Sequence, residues 1–185
     1  MAWIKVIDET QASGLLKEIY EELERKRGKV ANIMKVHSLN PHAMKRHMEL
    51  YITLMFGKSG LTRDERELIA VTVSALNNCE YCLKHHGHAL NNYWKDEKRI
   101  EKLLQGFRSV DLPEKTLKML EYSAKLTRTP DKVNRSDIEE LRRSGFRDED
   151  ILNINLITSY FNFVNRIALG LGVHFTPEEV KGYKT

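Results

Sequence analysis

The sequence of 185 residues lacks the features of several common protein classes. Its longest strongly apolar run, around Leu68 to Leu76, is about half as long as a membrane span requires. Basic and acidic residues, 30 and 26 of them, are interspersed and leave a net charge of +4, which gives little support to a nucleic-acid surface. We therefore expect a protein without membrane or nucleic-acid partners.

Strand patterns are also missing. No segment alternates apolar and polar residues for long, and only four prolines interrupt the chain. Apolar residues instead recur at helical spacing, as they do at Leu16, Ile19 and Leu23. The sequence thus predicts an all-α fold, and its length suits a single domain over residues 1–185.

Cysteine is scarce, because the chain has only Cys79 and Cys82, three positions apart. The N-terminus shows no signal-peptide core. Two cysteines at this spacing in a chain without a signal are typical of the reducing cytosol and of a catalytic disulfide. We expect a cytoplasmic protein.

The residues around the cysteines predict two helices. Residues 64–76 are apolar almost all round after the first turn, which is typical of a buried helix. Thr62 and Glu65 form a capping box at its start. The Asn-Asn pair that follows favours caps, so a new helix should begin near Cys79.

The second helix brings reactive side chains to one face. Cys79, Cys82 and His86 are three and four positions apart, which is the spacing of neighbours on a helix. Cys82 falls in the first turn, where the helix dipole lowers thiol pKa values, and His86 can accept its proton. Glu67 lies just before a buried run, where a carboxylate needs a partner. A thiolate with a base and a second thiol in reach is typical of a redox nucleophile.

Two other interpretations of the cysteines are open. They could be half of a zinc site with His85, His86 and His88, but these ligands lie within ten residues of one helix and no other cysteine exists. They could also be buried and unreactive. We expect neither a metal nor another cofactor. Three earlier histidines are interpreted as surface or cap residues: His37, His42 and His47.

The combined spacing resembles that of a known family. AhpD-like alkylhydroperoxidases, which are grouped with carboxymuconolactone decarboxylases, have a similar order of Glu67, eleven residues, Cys79-Glu80-Tyr81-Cys82, three residues and His86. Similar sequences also share the lead-in from Leu61 to Ile69. The ending from Tyr160 to Arg166 is like that of the peroxidase-related branch.

The resemblance implies a role for each motif residue. Cys82 would be the peroxidatic cysteine, oxidised to a sulfenic acid, and Cys79 the resolving cysteine that closes the disulfide. Glu67 and His86 would form the proton relay. Tyr81 stands where the founding enzymes have a histidine; it is a poor base, but its hydroxyl can donate a hydrogen bond.

The resemblance also implies the AhpD-like helical fold, with two similar halves at about residues 40–95 and about 113–172. The Arg-Asp-Glu triplet of residues 63–65 recurs at 147–149, each time before a long apolar helix, while the second copy lacks the reactive residues. The family forms homo-oligomers, commonly trimers or hexamers, and we expect self-association.

Residues and resemblance together predict a thiol-dependent peroxidase that reduces hydroperoxides, organic ones in particular. An external dithiol or thiol protein would reduce it in turn, without flavin, haem or metal. Three alternatives stay open: a general thiol–disulfide oxidoreductase, a redox sensor, and a carboxymuconolactone decarboxylase-like enzyme.

Overall fold

In the computed structural model, which describes residues 2–183, the chain forms ten α-helices and three short 3₁₀ helices. The α-helices are α1 (Gly14–Arg27), α2 (Asn32–Lys35), α3 (Pro41–Phe56), α4 (Arg63–Leu76), α5 (Glu80–Trp94), α6 (Glu97–Gln105), α7 (Glu114–Arg128), α8 (Arg135–Arg143), α9 (Asp148–Gly170) and α10 (Pro177–Val180). Within the described range there is no strand, so the predicted all-α class is confirmed. No helix there has both the length and the apolar character needed to cross a membrane.

The chain divides into two compact units. One combines the chain up to Ile52 with the chain from Arg166, and the other runs from Thr53 to Asn165. Both α3 and α9 therefore contribute residues to each unit. The expectation of a single domain with two similar halves stays a prediction.

The first unit has its core on α1. Leu16, Ile19 and Leu23 line one face of this helix and pack with Met34 and other apolar side chains. The helix ends at Gly28, whose φ of 85° is left-handed and is accessible to glycine without strain. The apolar spacing and this glycine are the local signals that fix the element.

Two histidines of the same unit lie close together. His47 is only 6% exposed, so its predicted surface position is wrong. The reason is that it lies three residues after Met44, on the face of α3 that this fully buried methionine marks. His47 Nδ1 lies 3.2 Å from His37 Nε2, and His37 Nδ1 lies 2.8 Å from the carbonyl oxygen of Ile33. Burial lowers the pKa of His47 to about 3.

In the second unit, α4 begins with the predicted capping box. The Thr62 backbone N–H donates to Glu65 Oε2 at 2.8 Å, and the Glu65 N–H donates back to Thr62 Oγ1 at 3.4 Å. Every residue from Arg66 to Ser74 is buried. The Asn-Asn pair then ends α4, its second member with a left-handed φ of 54°, and α5 starts after Cys79. The predicted break between the two helices is confirmed.

Candidate active site

The predicted site residues meet where α4 packs against α5 in the second unit. Glu67 projects from α4 and is completely buried. Cys79 is the N-cap of α5, Cys82 lies in its first turn, and His86 follows one turn later. Both cysteines are free thiols and are 1% and 2% exposed. The sequence spacing therefore identified side chains that share one region of the fold.

A short hydrogen bond joins Glu67 to His86. The Glu67 Oε2 atom lies 2.6 Å from His86 Nδ1. A carboxylate can only accept, so Nδ1 carries the proton and Nε2 is left as the basic nitrogen of the ring. The edge of the imidazole contacts the Phe161 ring at 4.6 Å between centroids, which helps to fix its orientation. An imidazole held by a carboxylate in this way can act as a general base.

Arg63 is a further member of this group that the sequence did not single out. Its Nη2 atom lies 2.7 Å from Glu67 Oε1, one turn away on α4, and its guanidinium stacks over the Phe56 ring at 4.1 Å. A buried carboxylate needs a nearby positive charge, and Arg63 supplies it. The side chains of Arg63 and His86 keep 19% and 13% exposure, so the outer edge of the site lies at these two residues.

The two thiols influence each other strongly. The Cys82 thiol donates a hydrogen bond to the Cys79 sulfur, which lowers the pKa of Cys79. The same hydrogen bond, with burial and the neighbouring charge, raises the pKa of Cys82 well above its ordinary value. The predicted lowering of the Cys82 pKa at the helix N-terminus is therefore wrong for the reduced pair. The helix dipole acts on both thiols, and its effect on their pKa values is smaller than that of the proton that they share in their hydrogen bond.

A buried amide approaches the thiols from α9. Asn165 is completely buried and donates from Nδ2 to Ser74 Oγ at 3.2 Å. Its side chain also forms a hydrogen bond with Cys82. The sequence showed only that the asparagines of α9 needed partners, because a long run of apolar residues surrounds them.

Comparison with known proteins identifies the family of this chain. The model of the carboxymuconolactone decarboxylase family matches residues 41–106. A peroxidase-related protein from Silicibacter sp. TM1040 is 34% identical, with 95% of this chain and 93% of that protein covered and a TM-score of 0.84. A peroxidase-related protein from Ralstonia eutropha JMP134, described as an alkylhydroperoxidase AhpD core, is 30% identical, with coverage of 97% and 94% and a TM-score of 0.87. The chain belongs to the AhpD/carboxymuconolactone decarboxylase family.

YdfG, an uncharacterized protein of Bacillus subtilis (strain 168), is 29% identical over 117 residues, which are 62% of this chain and 78% of YdfG. The AhpD-like fold expected from the motif is confirmed by these likenesses. The family match spans α3 to α6 and so contains Glu67, both cysteines and His86. Asn165 lies outside it, on α9.

Tyr81 takes the place of the histidine of the founding AhpD enzymes, between the two cysteines. It is 5% exposed, and its ring stacks on His85 at 4.2 Å between centroids. His85 Nδ1 also lies 2.7 Å from the Tyr81 carbonyl oxygen. His85 is thus held against Tyr81, and the expected hydrogen-bond donation by the Tyr81 hydroxyl stays a prediction.

The described part of the chain contains no group of three or more His, Cys, Asp or Glu side chains arranged to hold a metal ion. A cleft of about 730 Å³ opens in the second unit, lined by Ala75, Leu76 and Asn78 and by charged side chains of α7 and α8. Cys79 and Cys82 do not line it.

Proposed function

We propose that this protein is an alkylhydroperoxidase-type peroxidase that reduces organic hydroperoxides with electrons from an external dithiol or thiol protein. The observation that carries the proposal is the 2.6 Å hydrogen bond between Glu67 and His86, a residue of the helix whose N-terminus holds the two free thiols. Membership of a family with peroxidase-related relatives supports the same type of reaction.

His86 is the base that this reaction needs. The hydrogen bond of Cys82 to Cys79, together with burial, raises the pKa of Cys82, so the Cys82 thiol does not ionise readily by itself. In the proposed mechanism, Nε2 of His86 takes the Cys82 proton while Glu67 stabilises the imidazolium through Nδ1. Once deprotonated, a thiol of raised pKa is also the stronger nucleophile.

The chemical steps follow from these roles. The Cys82 sulfur attacks the outer oxygen of the hydroperoxide, so that an S–O bond forms, the O–O bond breaks, and the alkoxide leaves as an alcohol with the proton from His86. The Cys79 sulfur then attacks Cys82; the S–S bond forms and the hydroxyl leaves with the Cys79 proton as water. The external dithiol returns both thiols by disulfide exchange and is itself oxidised.

The edge of the site favours an organic substrate. The thiols are almost completely buried, and the more exposed groups around them are Arg63 and His86. The Phe56 ring lies under the Arg63 guanidinium, is 37% exposed and offers apolar surface to the organic group of a hydroperoxide.

The test is the intact mass and free-thiol count of the reduced protein before and after one equivalent of cumene hydroperoxide. We expect both thiols to disappear with a fall of about two mass units. Cys79→Ser should instead gain about 16 mass units as the sulfenic acid, and Cys82→Ser should keep its mass and its thiol. Unchanged thiols in the native chain would contradict the proposal.

The same variants separate the alternatives. A redox sensor would form the disulfide but turn over negligibly with dithiothreitol as the dithiol. A decarboxylase-like enzyme would keep its activity in Cys82→Ser, because its reaction would not depend on the thiols. A general oxidoreductase would exchange with disulfides but react slowly with hydroperoxide.

Self-association as a trimer or hexamer and a cytoplasmic location complete the proposal. Light scattering on the purified chain decides the first. A single species with the mass of one chain at micromolar concentration would contradict it.

A further inference from the structure

The proposed chemistry uses residues of α4 and α5, but α9 also reaches the thiols. Asn165 brings a neutral amide to Cys82 from a helix that is far away in the sequence. The amide is completely buried, and a buried amide is stable only when its donors and acceptor have partners. The partners of Asn165 therefore decide what it can offer to the sulfur.

The hydrogen bonds of the amide fix its orientation. Asn77 Nδ2, at the C-terminal end of α4, donates to Asn165 Oδ1 at 3.0 Å and to Asn162 Oδ1 at 3.0 Å. The oxygen end of Asn165 thus faces Asn77, and the NH₂ end faces the other way. Asn162 is itself held, because its Nδ2 donates to the carbonyl oxygen of Thr158 at 3.0 Å.

The NH₂ end of Asn165 lies at the start of the cysteine motif. It donates to Ser74 Oγ at 3.2 Å, while the Ser74 carbonyl oxygen accepts from the Cys79 backbone N–H at 2.9 Å. The Asn165 amide and the Cys79 backbone are therefore both hydrogen-bonded to Ser74 of α4. An NH₂ group has no acceptor capacity, so it can only donate to the sulfur of Cys82.

We propose that Asn165 is a catalytic residue whose Nδ2–H donates a hydrogen bond to the Cys82 sulfur and stabilises its negative charge during the attack on the hydroperoxide. This inference rests on the proposed peroxidase function for its role in turnover. A donor favours the charged form of a thiol and opposes burial, which favours the neutral form. The His86 imidazole then removes the proton of Cys82, and the Asn165 amide stabilises the thiolate that remains.

The charged and titratable groups around Cys82 are few. Cys79 interacts with it at the start of α5, His86 lies one turn further along the same helix, and Glu67 of α4 contacts both His86 and Arg63. From α9 the cluster meets Asn165 and Phe161, neither of which titrates. A change at Asn165 therefore alters the ionisation of Cys82 without adding or removing a charge.

The first experiment measures ionisation alone. In a Cys79→Ser background, which leaves one thiol, the thiolate absorbance near 240 nm is followed against pH, with Cys79→Ser/Cys82→Ser subtracted to remove tyrosine. Adding Asn165→Leu should move the Cys82 midpoint upward by about one pH unit or more, because a hydrogen bond to a charged group is lost. The matched control is Asn155→Leu, the same change on the same helix at a residue that donates to Tyr122 Oη.

Each outcome decides the inference. An upward shift in Asn165→Leu with no shift in Asn155→Leu supports the donor, whereas equal midpoints overturn it. If Asn165→Leu does not fold, Asn77→Ala replaces it, because this change removes the hydrogen bond that orients the amide and leaves Asn165 in place. An upward shift there supports the donor, and an unchanged midpoint overturns it.

A second readout connects the amide to turnover. With both cysteines present, Asn165→Leu should slow oxidation by cumene hydroperoxide about tenfold near neutral pH and approach the native rate at high pH, since one pKa unit is a tenfold change in thiolate. A loss that is equal at every pH would indicate a merely structural role and overturn the inference. If the midpoint shifts but no variant reacts with hydroperoxide, the amide donor stands and the peroxidase function fails.

Discussion

Two pairs of side chains, Glu67–His86 and His37–His47, differ in the partner of the imidazole. In the second unit His86 is hydrogen-bonded to the carboxylate of Glu67 at 2.6 Å. In the first unit His47 lies 3.2 Å from the imidazole of His37. Only the Glu67–His86 pair can stabilise a proton taken from a neighbouring group, because the carboxylate compensates the charge of the imidazolium.

The His37–His47 pair shows how burial by itself affects the pKa of a histidine. The His37 Nδ1–H donates to the Ile33 carbonyl, so His37 Nε2 accepts from His47 and both rings are neutral. Burial, followed by the nearby His37, lowers the pKa of His47 to about 3. A buried histidine is therefore no sign of a base, and the carboxylate beside His86 is what distinguishes the candidate site.

The largest effect is expected at Glu67, the carboxylate that distinguishes the pair with His86 from the His37–His47 pair. Replacing it in Glu67→Gln keeps the shape and removes the charge that stabilises the imidazolium. We expect the rate of thiol oxidation by cumene hydroperoxide to fall about 100-fold, at the lower end of what general acid–base catalysis contributes. Stopped-flow measurement of the second-order rate constant checks this.

The matched control is another buried carboxylate. Asp150 is 6% exposed, and its Oδ2 accepts from the Arg147 backbone N–H at 3.0 Å, which caps α9. Asp150→Asn should lower the free energy of unfolding by about 1 kcal/mol and leave the oxidation rate within about twofold. Equal rate losses in the two variants would mean that Glu67 acts only on stability.

The next largest effect concerns the His37–His47 pair and its response to pH. His47 has an ordinary pKa of 6.5 in the unfolded chain and about 3 in the folded one. Between these values the unfolded chain binds more protons, so its protonation destabilises the fold as the pH falls. The free energy of unfolding should drop by about 1.4 kcal/mol per pH unit in this window from His47 alone. Above pH 6.5 His47 is neutral in both states, and this loss of stability is absent.

Urea unfolding at several pH values tests the effect, with His47→Asn compared against the native chain. The variant should show a shallower loss of stability below neutral pH. His42→Asn changes an exposed histidine of the same helix and should keep the native slope. Parallel slopes for all three proteins would contradict the assignment to His47.

Much of the second unit could be predicted because its signals are local. The capping box of Thr62 and Glu65 and the break at Asn77 depend on side chains that bond to the backbone a few positions away. Such features need no knowledge of distant parts of the chain. The pairing of Glu67 with His86 was implied only by the family resemblance, because local spacing does not show how two helices pack.

The features that the sequence did not predict depend instead on distant parts of the chain. Asn165 is 88 positions from Asn77, and nothing local to α9 shows which helix its amide faces. The pKa of Cys82 depends on the direction of one proton between two sulfurs and on burial, neither of which appears in the spacing. Burial of His47 likewise depends on what covers α3. These properties arise only when the helices pack.

A smaller effect on the oxidation rate is expected at Arg63, the ion-pair partner of Glu67. Arg63→Met keeps a long side chain against Phe56 and removes the positive charge 2.7 Å from Glu67. The carboxylate would then be less well held, and we expect the oxidation rate to fall about tenfold, as for loss of one charge-assisted contact. Arg63→Lys should recover most of the rate. If Arg63→Met and the native chain react equally fast, His86 and Glu67 function without this ion pair.

The smallest effect is expected at Tyr81. Tyr81→Phe keeps the ring that stacks on His85 at 4.2 Å and removes only the hydroxyl. The proton of Cys82 goes to His86 in the proposed mechanism, so the oxidation rate should change by no more than about threefold, well below the contribution of a general acid or base. A tenfold or larger loss, measured beside Glu67→Gln, would instead give the Tyr81 hydroxyl a donor role toward the substrate. The proton chemistry would then depend on the tyrosine as well as on the His86–Glu67 pair.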